Sequence, residues 1–187
     1  DSGEIEAARK HTLPKLIGYG DLKGDLQVQT DWTDGENSIE EMAKAAQAIG
    51  LEYICITDHT KSLTIAKGLD ELRIKKHWAE IDRVNKKMGG KFKVLKGTEC
   101  DIRKDGSFDL SNSILSQLDV VGVSVHSYFN LSEKDQTVRV IPAMENKNVD
   151  IMFHPTGRVV AKRAPYAIDI DVVLKVAKRT KTIMEIN

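Results

Sequence analysis

Hydrophobic positions along the chain follow two alternating rhythms. Short runs rich in Val and Ile are separated by longer stretches in which apolar residues recur every three or four positions. The runs Asp25–Gln29, Tyr53–Thr57, Phe92–Lys96, Val120–Val125, Ile151–Phe153 and Thr182–Ile186 predict strands. Several are apolar throughout, as strands covered on both faces are. The clearest helix is Ser38–Ile49, where Ile39, Met42, Ala43, Ala46 and Ile49 share a face. Ser38 serves as its N-cap, Glu41 completes a capping box, and Gly50 ends it. Asp70–Lys87 predicts a longer amphipathic helix that stops before Gly89–Gly90, and Asn112–Leu118, Glu133–Glu145 and Val172–Arg179 predict shorter ones. Gly3–Lys10 reads as a short polar helix, and Leu13, Pro14, Leu16 and Ile17 as an apolar strap running into Gly18 and Gly20. Residues 1–20 are therefore expected to be a linker or lead-in, and 21–187 the main domain. Strand alternating with helix implies a parallel sheet with right-handed crossovers. Periodicity alone leaves an open doubly wound sheet and a β/α barrel both open.

The polar residues that follow the strands carry the candidate chemistry. Gln29, Thr30, Asp31 and Asp34 follow the first strand, Thr57-Asp58-His59 the second, and Gly97-Thr98-Glu99 the third. The fourth ends at His126, the fifth at His154-Pro155, and the sixth carries Glu185 and Asn187. In parallel β/α folds these C-terminal ends converge on one face, where active sites lie. Any one histidine after a strand reads as an ordinary hydrogen-bonded loop residue. Three of the five histidines at separate strand ends, together with acids, favour a metal or catalytic centre. Imidazole and carboxylate make a nitrogen and oxygen donor set suited to Zn, Mn or Fe. A carboxylate such as Glu99 is also the residue type that bridges two metals in phosphoester hydrolysis. His11, in the lead-in, and His77, inside a charged helix, read as structural or solvent-facing. Arg158, Lys162 and Arg163, close after His154, and Lys61, close after His59, are candidates for phosphate contacts, with a solvated loop as the alternative. Trp32 reads either as a neighbour of the site or as packing beneath its loop.

Composition narrows the classes. The 187 residues suit one domain, or one domain with an extra segment, and 41% hydrophobic content argues against disorder. Twenty-eight basic residues balance 28 acidic ones, which argues against a dedicated basic nucleic-acid binder but leaves room for a local patch. No run of about 18 apolar residues is present, so no membrane helix is expected. Two cysteines, Cys55 and Cys100, read as core thiols in a reduced, cytoplasmic setting rather than as a disulfide framework. No apolar signal region opens the chain, and Asp1 in place of Met reads as the start of a fragment or processed product.

Five motifs together resemble a known family. They are Gly24-Asp25-Leu26-Gln27-Val28-Gln29-Thr30 followed by Thr33-Asp34-Gly35, then Ile56-Thr57-Asp58-His59, Gly97-Thr98-Glu99, Val125-His126-Ser127, and Phe153-His154-Pro155-Thr156-Gly157-Arg158. Nearly the whole chain resembles the polymerase and histidinol phosphatase (PHP) domain. The lead-in Gly3-Glu4-Ile5-Glu6-Ala7-Ala8 with Leu13-Pro14 is similar to the approach to the C-terminal PHP domain of bacterial and archaeal family X DNA polymerases. The resemblance implies an α/β fold of parallel strands, a distorted (β/α)7 TIM-like barrel with one to three Mn or Zn ions at the strand C-termini. It implies a metal-dependent phosphoesterase of the 3′–5′ exonuclease or DNA-end-processing type, acting beside an upstream polymerase domain of the same longer chain. By motif matching, Glu99, His126 and His154 hold one metal, Asp34 and His59 contribute to a second, and positions 27 and 29 serve a third with Glu99.

The chain departs from the family pattern in two places. Gln27 and Gln29 stand where the first motif has histidines, and a neutral amide is the weaker ligand. The family's last strand, with its Asp-x-His pair, does not follow Asn187, so the expectation is an incomplete barrel truncated before that strand. Two alternatives follow: a catalytically degenerate domain with a structural or regulatory role, and a small-molecule phosphomonoesterase of the histidinol phosphatase type.

Overall fold

A computed structural model describes residues 2–186. The chain folds as α1 (Glu4–Arg9), β1 (Gly24–Val28), α2 (Ile39–Ala48), β2 (Tyr53–Ile56), α3 (Glu71–Met88), β3 (Lys93–Asp101), α4 (Asn112–Leu115), β4 (Val120–Ser124), α5 (Glu133–Met144), β5 (Ile151–Met152), α6 (Ile170–Thr180) and β6 (Ile183–Met184). The helix starts follow from their caps. The Ser38 hydroxyl accepts from Glu41 N–H, and the Glu41 carboxylate accepts from Ser38 N–H at 2.9 Å. Asp70 caps α3, Ser132 caps α5 and Asp169 caps α6 in the same way, each accepting from the first turn. Gly89, with φ 64°, ends α3 in the left-handed conformation that suits glycine.

All neighbouring strands pair in parallel, and their order is β1-β2-β3-β4-β5-β6. That order decides between the two architectures. Right-handed crossovers that always step the same way put every helix on one face of the sheet. A doubly wound sheet must reverse direction to cover both faces. The six strands therefore curl into an incomplete β/α barrel, with helices outside and the strand side chains of alternate parity inside.

β3 is longer than its apolar run suggests. After pairing with β2 as far as Lys96, it continues beside β4 from Gly97 opposite Val120 to Asp101 opposite Ser124. Cys100 and the following Ile102 turn out into the core, while Glu99 and Asp101 turn inward, so the polar residues lie within the strand and do not mark its end. β5, by contrast, stops at Met152, because His154 takes φ 28° and leaves the extended conformation. β6 ends at Met184, with Glu185 just beyond it; Asn187 lies outside the described residues.

The outer core has two parts. Val28, Ile39, Ala43, Ile54, Ile56, Phe92 and Val94 form one, beneath α2. Cys100, Ile102, Val121, Val123, Val140, Met144, Met152 and Val173 form the other, beneath α5 and α6. α3 contributes to both: Ile81 and Val84 enter the first, Ile74 and Trp78 the second. Burial of each such side chain stabilises the fold by about 1.5–3 kcal/mol. On the inner face, a Cβ at Gly122 would lie 1.9 Å from the Phe153 ring, and one at Gly97 would lie 2.3 Å from Cys55 Sγ. The two glycines thus make room for the ring and the thiol that fill the barrel interior. Burial there, reinforced by Asp119, Asp150 and Asp25, pushes the Cys55 thiol up to about 12. Both cysteines are buried and free. α1 and the 3-10 turn at Tyr19–Asp21 bury none of their side chains, so the lead-in lies outside this core. Among the described residues, no helix is long and apolar enough to cross a membrane.

Candidate metal centre

The inward parity of β3 places the Glu99 carboxylate at the middle of the C-terminal face, 2% exposed. The ends of the neighbouring strands bring imidazoles to it. His126 Nε2 lies 3.1 Å and His154 Nε2 2.7 Å from Glu99 Oε1, and His59 Nδ1 lies 3.7 Å from Oε2. His59 Nε2 is 3.5 Å from Asp34 Oδ2 on the loop after β1. Ligand atoms of His59, Glu99 and His126 all fall within 4.8 Å of one another. Of the five residues expected from the sequence, the structure gathers His59, His126 and His154 around the Glu99 carboxylate, and Asp34 joins them through His59.

Second-layer contacts fix these groups. The Asp101 carboxylate accepts from His126 N–H at 3.2 Å and lies 3.3 Å from His126 Nδ1, and Ser124 Oγ is 3.2 Å from the same nitrogen. The Glu185 carboxylate accepts from His154 N–H and holds that residue in its strained left-handed backbone. Asp58 joins three segments: it accepts from Thr30 N–H (2.8 Å), Thr30 Oγ1 (2.6 Å), Thr33 Oγ1 (2.5 Å) and His77 Nε2 (2.9 Å). It so ties the Asp34 loop and α3 to the residue before His59. Asp101, Ser124 and Asp58 carry no individual role in the sequence reading, and His77, read as structural or solvent-facing, is structural. A signal existed for two of them: Asp101 is two residues from Glu99, on the same strand face, and His77 lies at helical spacing from Ile74 and Ile81 on the buried face of α3. Trp32 packs under the loop, its indole N–H donating to Glu80 at 3.2 Å and its ring edge-on to His77.

Electrostatics make the centre a demanding one. Burial raises the Glu99 carboxyl, but hydrogen bonds from His126 and His154 and the nearby His59 outweigh it and hold the group well below the usual carboxylate range. Burial lowers His126, yet Asp101 and Glu99 outweigh that and push it up to about 9. Two carboxylates thus converge where positive charge is required. The buried His59 Nδ1, facing Glu99, has no hydrogen-bond partner. An orphaned imidazole nitrogen beside a stabilised carboxylate, with two further imidazoles in reach, fits a divalent ion of the Zn or Mn kind.

Gln27 and Gln29 behave differently from ligands. Their amide N–H groups donate to Glu99 Oε2 at 3.3 and 3.1 Å. An amide oxygen turned toward that anion would be repelled, so both side chains present donors to the oxygen that a second ion would need. Of the four basic candidates, Arg158 and Lys162 are exposed on the loop after β5. Lys61 pairs with Glu71 at 2.5 Å, and Arg163 donates to the Gly157 carbonyl at 2.8 Å and covers the Phe129 ring.

In sequence and in fold the chain is similar to known proteins. The chain is 43% identical over 173 residues, 92% of its length, to the DNA polymerase/3′-5′ exonuclease PolX of Bacillus subtilis, of which it spans 30%. It is 34% identical over 155 residues, 81% of its length, to a probable phosphatase of Thermoanaerobacter sp., of which it spans 58%. Both relatives therefore extend well beyond the matched region. A Lactococcus lactis histidinol phosphate phosphatase, solved with zinc, L-histidinol and phosphate, superposes with a TM-score of 0.61 at 17% identity, covering 88% of this chain and 73% of that one, which supports the fold. The PHP domain pattern matches residues 25–168, from β1 to the approach to α6, and spans every ligand-type residue described above. The chain is a member of the PHP domain family.

Proposed function

We propose that this domain is a metal-dependent phosphoesterase that processes DNA ends in the 3′–5′ exonuclease manner, within a longer chain that also carries a polymerase domain. The observation that carries the reading is the meeting of His59, Glu99, His126 and His154 on one buried carboxylate at the strand C-termini. Glu99, His126 and His154 would hold one Mn or Zn ion, and Asp34 and His59 would contribute to a second. When bound, the ion supplies Lewis-acid charge for the phosphoryl group and lowers the pKa of water. The protein's own part is positioning. Asp101 and Ser124 orient His126, Glu185 fixes His154, and Asp58 fixes the segments flanking His59 and Asp34. Of the four basic candidates near His59 and His154, Arg158 and Lys162 are exposed toward solvent, whereas Lys61 and Arg163 are engaged within the fold. Two buried free thiols fit a reducing, cytoplasmic setting.

Metal stoichiometry, measured by plasma mass spectrometry after equilibration with Mn or Zn, tests the centre. The expected result is at least one ion per chain, with the content lowered by about one in His126→Ala/His154→Ala. A wild-type protein that retains none overturns the reading. Faster hydrolysis of a 3′-recessed DNA than of a small phosphomonoester separates DNA-end processing from the histidinol phosphatase type. A second reading has its own observation: Gln27 and Gln29 both bond Glu99, as a domain kept for a structural or regulatory role would tolerate. If so, Gln27→His/Gln29→His raises the metal content and the hydrolysis rate above wild type.

A further inference from the structure

Beside the ligand cluster lies a cavity of about 520 Å3 that has no role in the reading above, with His126 on its inner wall. Asp101, Arg103, Lys104, Asp105, Ser127 and Tyr128 line most of the rest. Its size falls in the range of small-molecule sites. Its lining carries two cations, Arg103 and Lys104, and two acids, Asp101 and Asp105. Arg103 and Lys104 are exposed and form no ion pair among the described residues. The two acids already have donors of their own: Asp101 accepts from His126, and Asp105 accepts within its own turn from Ser107 N–H at 3.0 Å and Oγ at 2.7 Å, with Arg103 adding to the hold on its carboxylate. A third cation stands behind the wall. Arg139 of α5 is 2% exposed, and its guanidinium is spent on carbonyls: Ile102, Arg103 at 2.9 Å and Ser127 at 2.7 Å. It therefore clamps the loops after β3 and β4 together without losing its charge.

The aromatic wall is held by the same cations. The Tyr128 ring centroid lies 5.8 Å from the Arg139 guanidinium and 5.5 Å from Lys104 Nζ. Tyr128 occupies φ 55°, an unfavourable backbone for a bulky residue, and keeps 52% of its surface exposed. Exposed cations beside a presented ring are the pairing that takes up a nucleotide, with phosphate on the charges and base on the ring.

We propose that this cavity seats the nucleotide next to the phosphoester presented to the ligand cluster, its phosphate on Arg103 and Lys104 and its base on Tyr128. The occupant is a single-stranded polynucleotide end, and the assignment rests on the phosphoesterase reading for its orientation. The test is fluorescence anisotropy with a labelled oligothymidylate of about six nucleotides, titrated with the 187-residue chain in chelator, so that binding is read without turnover. Arg103→Ala/Lys104→Ala should weaken binding about tenfold and reduce the slope of log affinity against log salt by about 1.4, near 0.7 per lost phosphate contact on a single strand. Tyr128→Ala should weaken binding about tenfold with the slope unchanged. Lys75→Ala/Lys76→Ala, on the outer helix α3, should match wild type. Wild-type affinity and slope in both cavity variants overturn the proposal, as does wild-type protein that binds no oligonucleotide. Displacement by inorganic phosphate as effectively as by thymidine monophosphate also overturns it, leaving a simple anion site. Failure of the metal-loaded protein to hydrolyse both a small aryl phosphodiester and a small aryl phosphomonoester sinks the phosphoesterase reading instead, with oligonucleotide binding intact.

Discussion

Asp58 offers a sharp test of how the site is held. Its carboxylate is buried, and four donors converge on it from the β1 loop and α3. Hydrogen bonds to a charged group contribute about 1.5–3 kcal/mol each, but bonds that share one acceptor do not add. Asp58→Ala removes all four acceptor positions and leaves Thr30 N–H and His77 buried without partners. Removing one side of such a buried network costs about 3–5 kcal/mol. A loss near 4 kcal/mol is a quarter or more of the stability of an ordinary domain. In a domain of this size it should lower the melting temperature by about 8–16 °C. Thr33→Val, which deletes one of the four donors and keeps the carboxylate, should cost about 1–2 kcal/mol. The assay is thermal and urea unfolding followed by circular dichroism, with both variants beside wild type. If Asp58→Ala melts within about 3 °C of wild type, the four contacts do not bind the loop and α3 together as described, and the positioning role falls with them.

Three further outcomes follow from the packing on the two faces of the sheet. Gly122→Ala would drive a methyl into the Phe153 ring, so it should destabilise the protein by about 1–3 kcal/mol in urea unfolding, while Gly50→Ala, whose Cβ meets nothing within 4 Å but whose φ is 93°, should cost only its backbone strain. Cys55 and Cys100 should resist a thiol reagent in native protein and both react on unfolding. The raised Cys55 also sets a pH dependence. Above its ordinary value of 9.0 the unfolded chain releases a proton that the folded chain keeps until about 12, so the contribution is intact below pH 9 and is lost as pH climbs through that window. A Cys55→Ser variant that loses stability just as steeply from pH 9 to 12 would refute this assignment.

Much of the fold was legible because strand and helix periods alternate cleanly and the caps Ser38 and Asp70 are written in the sequence. His59, His126 and His154 were legible for a simple reason: each follows a strand, and parallel strands bring such positions to one face. What escaped was decided by partners far along the chain. Glu99 and Asp101 look like a loop because they are polar, and only pairing with β4 reveals them as inward positions of a strand. For His77 the local pattern leaves structural and solvent-facing roles open, and Arg139 sits in a charged helix where solvent is the default; their burial depends on Asp58 and on the carbonyls of Ile102, Arg103 and Ser127. Lys61 looked free for phosphate because Glu71, its ion-pair partner, is ten residues away.

The division of the core has a consequence for how the site comes into being. β1, β2 and α2 build one hydrophobic cluster, β4, β5, α5 and α6 the other, and α3 and β3 have side chains in both. Each half is stitched from elements adjacent in sequence, so each can condense through short loop closures before the two meet. The ligand cluster respects that seam: Asp34 and His59 ride on the first half, His126 and His154 on the second, and Glu99 on the strand between. Neither half alone holds more than a fragment of it. The site is thus the last thing to form and the first to dissolve in any partial opening, and hydrogen exchange should report two cooperative units whose separation abolishes metal retention while much of the helix content survives.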